Sequence, residues 1–140
     1  PKKFTGNIFI VTGAGSGIGR GIALELARQG ASVVLADLDP SGLDEVVSEF
    51  KTNKYPEPSV FIGDQRDETV VIDTVRSAVM NFGGLDGVVL NAGIGVSGNL
   101  EELDAAKWRE GLDINLTSAF LLTKEAMKVM RKKNMGGSLF

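Results

Sequence analysis

The sequence predicts an α/β fold, a doubly wound parallel sheet with helices on both faces, in one domain spanning residues 1–140. Three observations lead there. Short continuous apolar runs alternate with segments of helical periodicity, as buried parallel strands alternate with amphipathic helices. The first run, Ile8 to Val11, leads into a turn with five glycines in nine residues, from Gly13 to Gly21. A length of 140 residues with 43% hydrophobic content suits a single globular core.

The elements follow in order. After the glycine turn, Ile18, Ile22, Ala23, Leu26 and Ala27 recur at helical spacing, and Arg28 and Gly30 close that helix. The second strand runs from Ser32 to Ala36 and ends at Asp37. Asp39-Pro40-Ser41 starts the second helix, whose apolar face is Leu43, Val46, Val47 and Phe50. Lys51 to Pro58, with two prolines and Asn53, reads as a surface loop. Val60, Phe61 and Ile62 make the third strand. Asp67 is placed to cap a third helix with a buried stripe of Val71, Ile72, Val75, Val79 and Phe82, ended by Gly83 and Gly84.

Asp86 to Asn91 forms the fourth strand, followed by a loop from Ala92 to Asn99. Trp108 falls in a short helical lead-in to a long helix from about Gly111 to Lys133. The apolar positions of that helix include Leu112, Leu116, Ala119, Phe120, Ala126, Met127 and Met130. Its closing charges, Arg131-Lys132-Lys133, complement a helix C-terminus. Gly136 to Phe140 begins a fifth strand.

Strand, glycine turn and helix together leave backbone N–H groups unpaired at a helix start, which favours an anion. The glycine spacing then separates the classes of nucleotide loop. A P-loop would need Lys and Ser or Thr after its last glycine, whereas Gly19 precedes Arg20 and Gly21. A strict G-x-G-x-x-G from Gly13 and Gly15 would put its third glycine at Ile18. What fits is T-G-x-x-x-G-I-G, carried by Thr12, Gly13, Gly17, Ile18 and Gly19. This resembles the cofactor loop of the short-chain dehydrogenase/reductase family. The resemblance implies a Rossmann-type sheet in the order 3-2-1-4 with the start of strand 5. It also implies that Gly13 permits the tight turn, Gly17 the approach of a cofactor pyrophosphate, and Gly19 close helix packing.

The same resemblance assigns further cofactor contacts. Asp37, 18 positions after Gly19, matches the acidic residue that accepts hydrogen bonds from the adenosine ribose. Its charge would repel a 2′-phosphate. Ser16 and Leu38 stand where NADP-preferring relatives carry basic residues, so NAD is expected and NADP is the lesser fit. Asp64 occupies the place of the family's adenine contact, with Gln65 beside it in place of a small apolar residue. Asn91-Ala92-Gly93 resembles the family's Asn-Asn-Ala-Gly, with Leu90 where the first Asn stands. Asn115 joins the catalytic set by resemblance, holding a helix distortion and a water that relays protons to the active-site lysine. Bland readings stay open: a turn-forming Asp37, a solvated Asp64, an ordinary Asn-Gly turn at 91–93, and an Asn115 satisfied by nearby backbone.

Composition excludes much else. The chain has no cysteine and no histidine, which removes disulfides, thiol nucleophiles, histidine triads and the usual zinc sites, so no metal is expected. This is compatible with a cytoplasmic protein. A net charge of −3 and no larger basic cluster than residues 131–133 argue against nucleic acid. No apolar run approaches the ~20 residues of a membrane span.

The family's catalytic Ser and Tyr-x-x-x-Lys have no counterpart in these residues. Tyr55 is followed four positions later by Ser59 in a proline-bounded loop, and Ser138 precedes the catalytic serine's place. The expectation is therefore the NAD-binding part of a longer short-chain oxidoreductase, itself without hydride transfer. The parent would act on a small alcohol or carbonyl substrate. Looser similarity through Trp108-Arg109, residues 113–116 and Gly136-Gly137-Ser138 points to dehydrogenase domains fused behind a sugar-phosphate aldolase. Pro1 in place of an initiator methionine fits either methionine removal or a piece cut from a longer chain. An uncovered apolar stripe on the long helix would then drive homo-oligomer formation. The alternative is a catalytically silent dinucleotide-binding or scaffolding domain. A flavodoxin-like domain fits less well, since its ligand loop needs no such run of glycines.

Overall fold

The structure, a computed structural model, describes residues 2–132 and 136–140. Pro1 and the expected helix end at Lys133 lie outside the described residues. Five strands, β1 (Ile8–Thr12), β2 (Ser32–Asp37), β3 (Ser59–Ile62), β4 (Gly87–Val89) and β5 (Ser138–Leu139), form one sheet. Its order is β3-β2-β1-β4-β5 and every pairing is parallel. The expected 3-2-1-4 order with the start of a fifth strand is thus observed. The chain reverses direction across the sheet between β1 and β4, and in open α/β sheets a crevice forms at the carboxyl ends beside such a reversal.

The continuous apolar runs have a direct explanation. Successive strand residues point to opposite faces, and both faces are covered. Phe9, Val11, Val33 and Leu35 enter one core with Leu43, Val46 and Phe50. That core lies under α1 (Gly17–Arg28) and α2 (Pro40–Thr52). Ile10, Val34 and Val88 enter the other core with Val71, Val75, Leu122 and Met130. The second core lies under α3 (Glu68–Phe82) and α5 (Ser118–Lys132).

Helix starts at Asp39 and Asp67 behave as expected: each carboxylate accepts the N–H two residues on, from Ser41 and Thr69. Gly83 ends α3 in the left-handed region, at φ 90°. Three expectations need correction. The α2 helix continues through Thr52, so the proline loop begins at Asn53 rather than Lys51. The buried stripe of α3 is Val71, Thr74, Val75 and Ala78, while Ile72 is exposed and Val79 and Phe82 are only half-buried. Thr74 can take a core position because its hydroxyl donates to the Val70 carbonyl at 2.8 Å, so hydropathy alone misplaced the stripe. Val60 and Ile62 are exposed, because β3 is an edge strand.

The long helix is also built differently. It runs unbroken through α4 (Ala105–Leu112), a π-helical turn (Asp113–Thr117) and α5, so Trp108 belongs to the same run. The Asn115 amide exchanges two hydrogen bonds with the backbone of Ile94 across the turn. Leu112, Leu116 and Phe120 stay exposed along one side of it, the uncovered stripe the sequence anticipates.

Leu122 is 1% exposed and Met80 is 77% exposed. Replacing Leu122 by Ala should lower the free energy of urea unfolding by about 2–5 kcal/mol. The exposed control, Met80→Ala, should stay within about 0.5 kcal/mol.

Candidate functional site

The carboxyl ends of β1 and β4 are pinned together by one hydroxyl and one amide. Thr12 Oγ1 donates to the Val89 carbonyl at 3.3 Å and accepts the N–H groups of Asn91 and Ala92, both at 3.0 Å. Asn91 Nδ2 donates back to the Thr12 carbonyl at 3.0 Å and reaches that of Gly13 at 3.4 Å. Thr12 was visible in the motif, but its bridging role was not read from the sequence.

This pinning dictates the glycines. Gly13 has φ +64°, and a β-carbon there would lie 2.8 Å from Asn91 Nδ2. A β-carbon on Gly19 would run into the Gly13 carbonyl and the Asn91 amide, so Gly19 packs beneath the turn. Gly17 differs. It has φ +53°, and a β-carbon there would meet no protein atom within 4 Å. Gly17 borders a cleft of about 380 Å³ whose rim includes Ser16 and the exposed Ile18. Ser16 is the N-cap of α1, and its side chain makes no capping hydrogen bond. The helices α2, α3 and α4 are each capped by an aspartate side chain. The first N–H groups of α1 therefore face the cleft without a side-chain acceptor, the arrangement that suits a phosphate.

Across the cleft stand the ends of β2 and β3. Asp37 Oδ2 accepts the Gly15 N–H at 2.8 Å and Oδ1 accepts that of Asp39 at 3.1 Å. The carboxylate thus holds the glycine turn while bordering the cleft beside the exposed Leu38. Asp64 also lines the cleft, and its carboxylate is gripped by Arg66 through Nε at 3.0 and 2.9 Å and Nη2 at 2.6 Å. That hydrogen-bonded guanidinium holds the Asp64 carboxyl below the usual carboxylate range, and burial opposes the shift. Gln65 forms part of the floor. Arg66, missed in the sequence, is a cation lining this cleft; only its position two residues after Asp64 hinted at it.

The far wall is Asn91, Ala92, Gly93 and Ile94, with Ile114 and Ser118 from the π-turn and the start of α5. Asn115 does not line the cleft itself. Its Oδ1 accepts the Ile94 N–H at 2.8 Å and its Nδ2 donates to the Ile94 carbonyl at 2.9 Å, which braces the wall from behind. Gly93 leaves room for that brace, since a β-carbon there would lie 3.0 Å from Asn115 Oδ1. The expected cofactor residues therefore converge on one cleft, apart from Gly19 beneath it. Tyr55 lies elsewhere, edge-on to Phe50 at 5.9 Å. Among the described residues there is no group of three or more potential metal ligands, and no helix long and apolar enough to cross a membrane.

Comparison with known proteins agrees with this geometry. A family model described as short chain dehydrogenase matches residues 7–139. Levodione reductase of Leifsonia aquatica is 34% identical over 136 residues, covering 96% of this chain and 51% of its own. Glucose 1-dehydrogenase 2 of Bacillus subtilis is 35% identical over 142 residues, covering 99% of this chain and 54% of its own. The levodione reductase crystal structure superposes with a TM-score of 0.92 at 33% identity, over 97% of this chain and 54% of that one. A crystal structure from Burkholderia xenovorans, assigned to the short-chain dehydrogenase/reductases, gives 0.94 at 31% identity, over 99% of this chain and 56% of that one. The chain spans about half the length of the curated relatives it matches.

Two outcomes test the site's construction. Gly19→Ala should cost about 1–3 kcal/mol by overpacking backbone against backbone. The Asp64–Arg66 pair is over a third exposed, so its loss in Asp64→Asn should cost only about 0.2–1 kcal/mol at neutral pH. The carboxyl's folded pKa is lowered, so this stabilisation is present above its unfolded pKa and disappears as pH falls through the folded one. Urea unfolding from pH 7 downward should show the two proteins converging in acid.

Proposed function

We propose a function that starts from family membership: this chain belongs to the short-chain dehydrogenase family. We read it as the NAD-binding portion of an oxidoreductase. The intact parent would move a hydride between NAD(H) and a small alcohol or carbonyl substrate. The observation that carries the reading is one cleft bordered by both the uncapped start of α1 and the Asp37 carboxylate. The open space beside Gly17 suits a diphosphate, held by backbone N–H groups and the helix dipole. Asp37 would accept from the ribose hydroxyls and reject a 2′-phosphate, which favours NAD over NADP. Asp64 and Gln65 would lie toward the adenine, and Asn91, Ala92 and Gly93 toward the nicotinamide ribose.

When bound, the nicotinamide supplies the hydride acceptor or donor. These residues bind and orient; they do not move the substrate proton. Asn115 acts in this reading as a positioning residue, holding the π-turn against the cleft wall through Ile94. The same reading makes the protein cytoplasmic and self-associating, a second copy packing on the stripe of Leu112, Leu116 and Phe120.

Calorimetric titration with NAD and NADP in parallel tests the cofactor. The unmodified chain should prefer NAD. Asp37→Ala should weaken NAD by about tenfold to a hundredfold, the equivalent of roughly 1.5–3 kcal/mol, and abolish the preference. Equal, weak binding of both cofactors by the unmodified chain would sink the assignment. Sedimentation should show a species heavier than the monomer that Leu116→Lys shifts toward it; a monomer at all concentrations counts against self-association.

A further inference from the structure

We propose that a small cavity beneath the floor of the cleft is a binding site for one water molecule, held between the side-chain oxygen of Gln65 and the hydroxyl of Ser118. Gln65 is 8% exposed. Its Nε2 donates to Thr74 Oγ1 at 2.9 Å, and its Oε1 is buried with no hydrogen-bond partner among the described residues. With the Thr74 hydroxyl donating to the Val70 carbonyl at 2.8 Å, the amide atom facing it is the donor Nε2. The oxygen is then left without a donor among the described residues. Buried polar atoms of this kind are ordinarily satisfied by ordered water.

The cavity has the size and chemistry for it. Its volume is about 10 Å³, with Gln65, Ser118, Thr12 and Ala92 among its walls. That is about the smallest space a single water needs, and it leaves no room for an organic ligand. None of the walls is a charged side chain, so an ion is not favoured. Thr12 Oγ1 already makes one donated and two accepted hydrogen bonds. Ser118 Oγ donates to the Ile114 carbonyl and keeps lone pairs to accept with. A water in the cavity has two protons and would find two acceptors, Gln65 Oε1 and Ser118 Oγ.

The site matters for the cleft because Gln65, Ala92 and Ser118 border both spaces. The water ties the loop after β3 to the first residue of α5, directly after the π-turn. This inference stands independently of which cofactor, if any, the cleft receives.

A crystal structure of the full chain at a resolution that shows ordered solvent is the test. The expected map has a peak about 2.7–3.2 Å from both Gln65 Oε1 and Ser118 Oγ. A dry cavity, or Gln65 Oε1 turned onto a protein donor, overturns the proposal. A thermal-unfolding cycle is the second measurement: Gln65→Met and Ser118→Ala should each lower the midpoint, and together by less than the sum of the two. Strictly additive shifts would mean the two residues share no bridging molecule.

Discussion

The site depends on the contact that joins the two strand ends on either side of the chain reversal. Parallel strands are laid down by separate crossovers, and nothing in their ladder fixes how their carboxyl ends diverge into loops. Thr12 and Asn91 supply that constraint: one hydroxyl bridges three backbone groups of β4 and its loop, and one amide reaches back to the turn after β1. With those ends held, the helix that follows must begin almost on top of the turn. Only a residue without a side chain can stand at Gly19, and only a left-handed backbone can make the corner at Gly13. The crowding beneath the turn and the free space above Gly17 are two sides of the same constraint.

The carboxylates show how a cleft wall can also brace the fold. Asp37 spends one oxygen on Gly15 and the other on Asp39, so it positions the glycine turn from the neighbouring strand. A carboxylate oxygen has more than one lone pair, which leaves capacity on the cleft side. Replacing Asp37 therefore does two things, removing a charge and loosening the turn. A selective effect on one cofactor over another separates them, because a loosened turn weakens every dinucleotide. Asp64 is bound up differently, its charge largely matched by Arg66. The second acidic side chain of the cleft thus contributes less negative field than its formal charge suggests.

Much of this was legible in the sequence because it rests on local signals. Glycine spacing, short apolar runs and aspartate caps each act within a few residues, and the sheet order followed from the family those signals resemble. What was not legible depends on partners distant in the chain. Thr74 enters the core, and Ile72 does not, because the α3 face is chosen by packing against α5 and by a hydroxyl that satisfies itself on Val70. The Arg66–Asp64 pair, though only two residues apart, was hidden for another reason: two loop charges so spaced carry no pattern. Asn115 was correctly suspicious as an amide inside a helix. The sequence left open a family-like role, with a helix distortion and a proton-relaying water, or an amide satisfied by backbone; the structure places Asn115 in the π-turn with its amide bonded to the Ile94 backbone.

Two departures from the family pattern, Gln65 for a small apolar residue and Leu90 for an asparagine, read in the sequence as separate weaknesses in the resemblance. In space they are walls of one cavity. Leu90 brings hydrocarbon to the place where the pattern puts an amide, and Gln65 brings an amide from the loop after β3. The amide oxygen of Gln65 finds no protein partner among the described residues, and Leu90 offers it none. Both departures therefore bear on one small space between the loop after β3 and the end of β4.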